Sequence, residues 1–416
     1  MNLFSFRRPS STAALASVPE KGAPMSIHDG RERRLTASAR PPQVFTRGQG
    51  SWLWDSESRA YLDFSQGSGT NSLGHSPSVL VQALSRQVQG LINPGSGLDH
   101  PGHLELLQRL CELTDSDQAC LFNSGSEACE AAVKLARQWG NRHRHGAYGI
   151  ITAAGGCHGR SLGAQSTTGR VGYGPGLEGF SQVPFNDLQA LHAAIDSDTV
   201  AIMLEPIQGE AGVIPATREY LQGVQQLCQT LGILLILDEV GTGAGRCGAV
   251  LAESLYGVRA DIVAMGKGLG AGVAVAAVLA RARACGEPLQ EVGGSHYGNP
   301  LGCTAGLTLL NELEPAFLAT VGARGRQLRD GLSRIANRYG LGEPRGTGLL
   351  WALPLGEPIG AQVVKAARLE GLIIEAVQPD CLRLTPALTV SAGNIEDMLS
   401  RLTRALSRVR TAQLKH

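Results

Sequence analysis

The stretch ILLILDEV, residues 233–240, limits the folds open to this chain more than any other feature. Its first five residues are all apolar and partly β-branched, and the run ends abruptly in Asp238-Glu239. An apolar run of strand length, without alternation, belongs to a strand covered on both faces, as in a parallel sheet flanked by helices. Such a strand delivers its last carboxylate to one edge of the sheet. A second run, ADIVAMGKGLGAG from Ala260, brings Lys267 into a glycine-rich turn. An ammonium so close to a core is costly unless its amine has a use. One chemistry asks for both groups: a lysine that condenses with a cofactor aldehyde, and an aspartate that keeps the cofactor's ring nitrogen protonated. Taken alone, the two segments suit equally well a buried strand with an N-cap acid and an unrelated surface lysine.

The rest of the chain narrows the choice. Its 416 residues are enough for about two domains. With 43% hydrophobic and 18% charged residues the composition is that of a soluble globular protein. A net charge of +1 and the lack of long basic runs exclude a nucleic-acid partner as the default reading. Several of the 54 glycines sit where strands hand over to helices, as phosphate-binding α/β enzymes require. The nine cysteines are scattered without a CxxC pair, which argues against a disulfide framework or a zinc site, so no metal is expected. No apolar stretch approaches ~18 residues, so no membrane span is expected, and the expected location is the cytoplasm. The first residues, Ser/Ala-rich with Arg7 and Arg8, read as an extended segment before a possible second start at Met25 rather than as a transit peptide.

From Val44, VFTRGQGSWLWDSESRAYLDF alternates around a DSES turn and predicts a β-hairpin. GSGTNSLGH follows as a glycine-rich loop, and SVLVQALSRQVQGL and HLELLQRLCELT as amphipathic helices. QACLFNSGSEACEAAVKLARQWG reads as strand, turn and helix, and the helix start at Gly125 and Ser126 offers amides and a hydroxyl to a phosphate. Later strands are predicted at GAYGIITAA, TVAIMLEPIQGE and VAVAAVLAR, a polar loop at His158 and Arg160, and a long helix from about Cys303. Strands alternating with helices over 110–310 predict an α/β fold, a mostly parallel sheet with helices on both faces. Both chain ends look α+β and are expected to form one smaller domain. The division expected is an N-terminal segment 1–40, small-domain parts 41–75 and 311–416, and a large cofactor-binding domain 76–310.

Eight ordered motifs carry a resemblance: YLDF–GxGxN–LGH, FNSGSEA, HGRSLGA, LEPIQGE, LDEV–TG–GR, GKGLGAG, GNPLGC and LRLTPAL. With them the chain resembles the class III pyridoxal-phosphate aminotransferases, in particular the acetylornithine/ornithine group, from about Val44 to about residue 405. The resemblance implies a type I pyridoxal-phosphate transferase fold working as a homodimer with shared active sites. It places Lys267 as the Schiff-base lysine and proton carrier, Asp238 as the partner of the pyridine nitrogen, and Val240 against the ring. It assigns Gly125 and Ser126 to the phosphate, together with a hydroxyl from Ser295 of the neighbouring subunit. It also gives Arg383 the α-carboxylate of glutamate or 2-oxoglutarate, in a two-pronged hydrogen bond. Glu210 would neutralise that arginine when an ω-amine enters, and Arg160 would grip a carboxylate at the far end.

Three positions depart from the family pattern. Cys157 stands in the cofactor site where the family stacks an aromatic ring, a contact worth ~1 kcal/mol beyond burial. Gly241 replaces a glutamine, and Cys129 an asparagine. The activity implied is transfer of the side-chain amino group of N-acetylornithine, or a similar ω-amino acid, to 2-oxoglutarate, giving a semialdehyde and glutamate as in arginine biosynthesis. Ornithine is less favoured, because no tyrosine occurs between Leu62 and Gly97, where ornithine enzymes are expected to carry one. 4-Aminobutyrate, diaminobutyrate and succinylornithine stay open as donors, with a semialdehyde aminomutase or an inactive homologue as further alternatives.

Overall fold

The alternating segment after Val44 folds into three short strands, β1 (Phe45–Gln49), β2 (Trp52–Asp55) and β3 (Ala60–Asp63). This is a meander with two turns, where the sequence predicts one hairpin. Gly50, at φ +56°, closes the first turn. Asp55 closes the second, its Oδ1 accepting the N–H groups of Glu57 and Arg59 at 3.0 and 2.9 Å. In this computed structural model the described residues are 35, 41–95, 97–169, 175–286 and 293–413. The expectations for the N-terminal segment and the start at Met25 lie outside them. Residues from Val44 onward form one compact unit.

The central sheet draws on β4 (Gln118–Phe122), β5 (Gly149–Ala153), β6 (Phe180–Val183) and β7 (Thr199–Leu204). After a two-residue ladder, β8 (Ile207–Gln208) with β9 (Ile214–Pro215), it continues with β10 (Leu234–Asp238), β11 (Ile262–Met265) and β12 (Ala276–Ala280). Its seven strands run in the order β4-β12-β11-β10-β7-β5-β6. Only β12 is antiparallel to its neighbours. The sheet is thus mostly parallel, as the alternation of strands and helices predicts.

The unbroken apolar run of β10 has a direct cause. Leu235 and Leu237 point into a core with Leu221 and Val224 of the helix Arg218–Leu231. Leu234 and Ile236 point into the opposite core with Ala128 and Ala132 of the helix Gly125–His143. Successive side chains therefore each meet a helix-covered face, and no position is left for a polar residue until the strand ends.

The two chain ends meet through backbone pairing. β13 (Arg345–Thr347), β14 (Leu350–Pro354), β16 (Glu375–Gln378) and β17 (Cys381–Leu384) form an antiparallel sheet, and β15 (Leu372–Ile373) runs parallel to β3 of the meander. The helix predicted from about Cys303 is two helices, Pro300–Glu312 and Pro315–Tyr339. Pro315 has no N–H for a continuing helix and suits the first position of a new one, so the break falls just before it. Among the described residues no helix is long and apolar enough to cross a membrane.

Candidate active site

The carboxyl-terminal ends of the parallel strands supply one cavity of about 280 Å³. Open α/β sheets place their ligands in this position, because the loops there diverge around a crevice. From β10 comes Asp238, from the turn after β11 Lys267, and from the end of β7 Glu205. The loop after β5 contributes Cys157, His158 and Arg160, and the loop after β4 contributes Gly125 and Ser126. Cys129, Gly159, Glu210, Val240, Gly241 and Arg383 complete the wall, with Ser68 from the N-terminal loop. Every site residue predicted from the sequence except Ser295 therefore lines this one cavity. Ser295 is not part of it; its backbone oxygen accepts a hydrogen bond from Asn123 Nδ2 at 3.2 Å.

Asp238 is buried and held from two sides. Its Oδ1 accepts the Val240 N–H at 2.9 Å, and its Oδ2 meets His158 Nδ1 at 2.8 Å. Burial works against a charged His158 ring, but the hydrogen bond and charge of Asp238 outweigh it and hold the ring above the usual imidazole range. Among the described residues His158 Nε2 is buried without a partner. Cys129, Asp238 and His158 place ligand-type atoms within 4.8 Å of one another. Burial, reinforced by Asp238, drives the Cys129 thiol far above its ordinary range. His158 and the backbone of Val240 brace Asp238 by hydrogen bonds to its two oxygens.

Lys267 sits at φ +43°, a left-handed conformation that is strained for a lysine and occurs mostly where a site demands it. Gly266 before it packs against Gly125, where a Cβ would lie 3.1 Å from the Gly125 Cα. At Gly125 a Cβ would come within 2.5 Å of Val240 Cγ1, so only glycine lets the helix start approach the strand end this closely. Ser124 caps that helix, accepting the Glu127 N–H at 3.3 Å, while Glu127 Oε2 reaches back to the Asn123 N–H at 3.0 Å. This reciprocal cap fixes a helix start whose first amides have no intrahelical partner, the usual seat of a phosphate.

The substrate side is built around Arg383. Its Nη1 donates to Glu210 Oε1 at 2.6 Å and its Nη2 to Glu375 Oε2 at 2.8 Å. Burial tends to raise the Glu210 carboxyl, but Arg383 beside it prevails and holds it below the ordinary range. Burial raises the Glu205 carboxyl, which accepts the Cys157 N–H at 2.9 Å. Arg160 is exposed at the rim, its N–H donating to Ser126 Oγ at 3.4 Å. The sequence reading gives no role to His158, Glu205 and Ser68, which line the cavity, or to Glu375, which bonds Arg383 from outside the lining. Glu375 could have been found: QPDC between two short apolar runs is a hairpin signal that sets it opposite Arg383.

These donors suit pyridoxal phosphate: an amine, a buried acid, a valine next to that acid, and a helix start with no room for a Cβ. The fold and the cavity together define a pyridoxal-phosphate-dependent enzyme of fold type I. The chain belongs to the class III aminotransferases, whose family model, described as Aminotransferase class-III, matches residues 36–406. It is 44% identical to acetylornithine aminotransferase 2 of Bordetella bronchiseptica over 384 residues, which is 90% of this chain and 97% of that protein. The crystal structure of N-acetylornithine aminotransferase from Stenotrophomonas maltophilia superposes with a TM-score of 0.79 at 32% identity, covering 90% of this chain and 98% of that one. An amine transaminase from an uncultivated Pseudomonas species, in its PLP-bound form, superposes with a TM-score of 0.82 at 26% identity, covering 96% and 100%.

Proposed function

We propose that the protein transfers the side-chain amino group of N-acetylornithine to 2-oxoglutarate, giving a semialdehyde and glutamate, as a step of arginine biosynthesis in the cytoplasm. The observation that carries this reading is the Arg383–Glu210 pair, which shares one cavity with Lys267 and Arg160. An ω-amine donor has no carboxylate beside its reacting carbon and leaves the pair closed. A 2-oxo acid has one, and takes Arg383 when Glu210 moves aside. Arg160 at the rim serves the carboxylate remote from the reacting carbon, which both substrates carry.

Pyridoxal phosphate, when bound, supplies an aldehyde that condenses with an amine and a ring that accepts the electrons released when a C–H bond breaks. The chain's own residues do the rest. Lys267 Nζ holds the cofactor between turnovers and then moves the proton to and from the carbon next to the nitrogen. Asp238 keeps a proton on the ring nitrogen, and His158 Nδ1 keeps Asp238 aimed. Gly125 and Ser126 take the phosphate, Val240 and Cys157 enclose the ring, and Ser295 adds a hydroxyl from the partner subunit of a homodimer. The meander and the C-terminal sheet (41–75 and 311–416) act as a small domain beside the cofactor-binding part (76–310).

The test is a panel of amino donors assayed with 2-oxoglutarate: N-acetylornithine, succinylornithine, ornithine, 4-aminobutyrate and diaminobutyrate. The expected result is the highest kcat/KM for N-acetylornithine with parallel double-reciprocal lines. Intersecting lines, or a clear preference for another donor, would contradict it.

A further inference from the structure

Arg383 carries two acids, and they are not equivalent. Its side chain is 5% exposed, and Glu210 and Glu375 take one terminal nitrogen each. Glu210 lies on the connection between β8 and β9 and lines the cavity with Lys267. Glu375 does not line it. It stands on β16 directly opposite Arg383 in the register with β17, and its Oε1 accepts a hydrogen bond from Ser68 Oγ at 2.6 Å. A ligand entering the cavity can push Glu210 aside, whereas Glu375 stands on a paired strand outside the lining and is pinned by Ser68.

The cluster therefore holds one positive and two negative charges before any substrate arrives. When Glu210 leaves, Arg383 is still half-neutralised through Nη2. An incoming carboxylate meets a fixed negative charge on the far side of the same planar group. Among the described residues Arg383 Nε is buried without a partner, so the guanidinium's charge is met on its two terminal nitrogens alone.

We propose that Glu375 is a specificity-setting positioning residue, which orients Arg383 toward the cavity and weakens its hold on carboxylates attached to the reacting carbon. The site then favours amines lacking that carboxylate and takes the 2-oxo acid only at higher concentration. This inference rests on the aminotransferase reading above and deepens it, by assigning the balance between donor and acceptor to a residue outside the cavity. At about 6 Å and an effective dielectric of about 20, the repulsion between two carboxylates corresponds to about a hundredfold in affinity, and solvent reaching the 28% exposed Glu375 side chain reduces it to about tenfold.

The experiment uses the pyridoxal-phosphate-loaded enzyme and E375Q, whose amide oxygen still accepts from Arg383 while its NH2 donates to Ser68 Oγ and the charge is gone. Glutarate, an unreactive dicarboxylate, is titrated by calorimetry, and the two half-reactions are followed separately in single turnovers. Expected in E375Q are about tenfold tighter glutarate binding, a KM for 2-oxoglutarate lowered by a similar factor, and a much smaller change in the donor half-reaction. The gain should shrink at high salt, and E375D should restore wild-type behaviour. If E375Q does not fold, E375T, whose β-branched side chain suits a strand, carries the same expectation. Glutarate affinity that is unchanged or weaker in the neutral variant would overturn the proposal and leave Glu375 a structural partner only. Glutarate binding needs no turnover, so a failure here is distinct from a failure of the wild-type enzyme to transaminate the donor panel.

Discussion

Asp238 reaches the cavity as the last residue of a strand that is buried along its whole length, and it stays there because Val240 and His158 hold one oxygen each. Replacing it by asparagine keeps the shape but removes the charge that holds a proton on the cofactor's ring nitrogen. D238N should therefore fold normally and lose at least about 10²-fold in kcat, read from single-turnover rates; a loss under threefold would count against the assignment. Glu210 makes a pH prediction of its own. Its carboxyl lies lower in the folded chain than the ordinary 4.5, so it contributes stability that is present above that pH and lost as pH falls through its folded value. Wild type should accordingly exceed E210Q in urea midpoint at pH 7, and the gap should narrow by pH 4. A gap that widens on acidification would remove Arg383 as the cause.

At the scale of elements, the helix start at Gly125 is where packing and cofactor binding meet. G125A drives a methyl against Val240, at 2.5 Å, which overpacking data put at about 1–3 kcal/mol. The expected outcome is lower thermal stability together with weaker uptake of added pyridoxal phosphate, measured by absorbance titration; unchanged uptake would show that Val240 yields freely. The same helix shows what a reader of the sequence can and cannot see. Its strand–turn–helix pattern, the β10 strand and the lysine turn were legible because their constraints are local: burial on both faces, a cap, a glycine. The meander's first turn escaped because a Gly-Ser pair inside an alternating run breaks no pattern, and the break before Pro315 because the helical run resumes at once. His158 and Glu375 escaped because what makes them functional is a partner 80 residues away in one case and a cross-strand register in the other. Glycine-rich loops fixed the position of the cavity, but long-range pairing decided its electrostatics.

For the whole molecule, the exposed apolar residues are unevenly spread. Val79, Val81, Val88, Leu91, Ile92, Leu98 and Leu104 all lie between the start of the helix Ser78–Gly90 and the first turn of the helix Pro101–Thr114. Seven exposed apolar side chains within one short stretch of chain support the proposed homodimer. Light scattering should give twice the chain's mass, and V81E with I92E should reduce it; a monomeric wild type would contradict the shared site. The central claim, though, is chemical: the amine of Lys267 carries the cofactor. Borohydride reduction of the pyridoxal-phosphate-loaded protein, followed by peptide mass spectrometry, tests it directly. The account predicts a pyridoxyl-phosphate mass on the peptide containing Lys267, and a Lys267→Ala protein that stays colourless and unlabelled. A label on any other lysine, or none on a protein given excess cofactor, would contradict it.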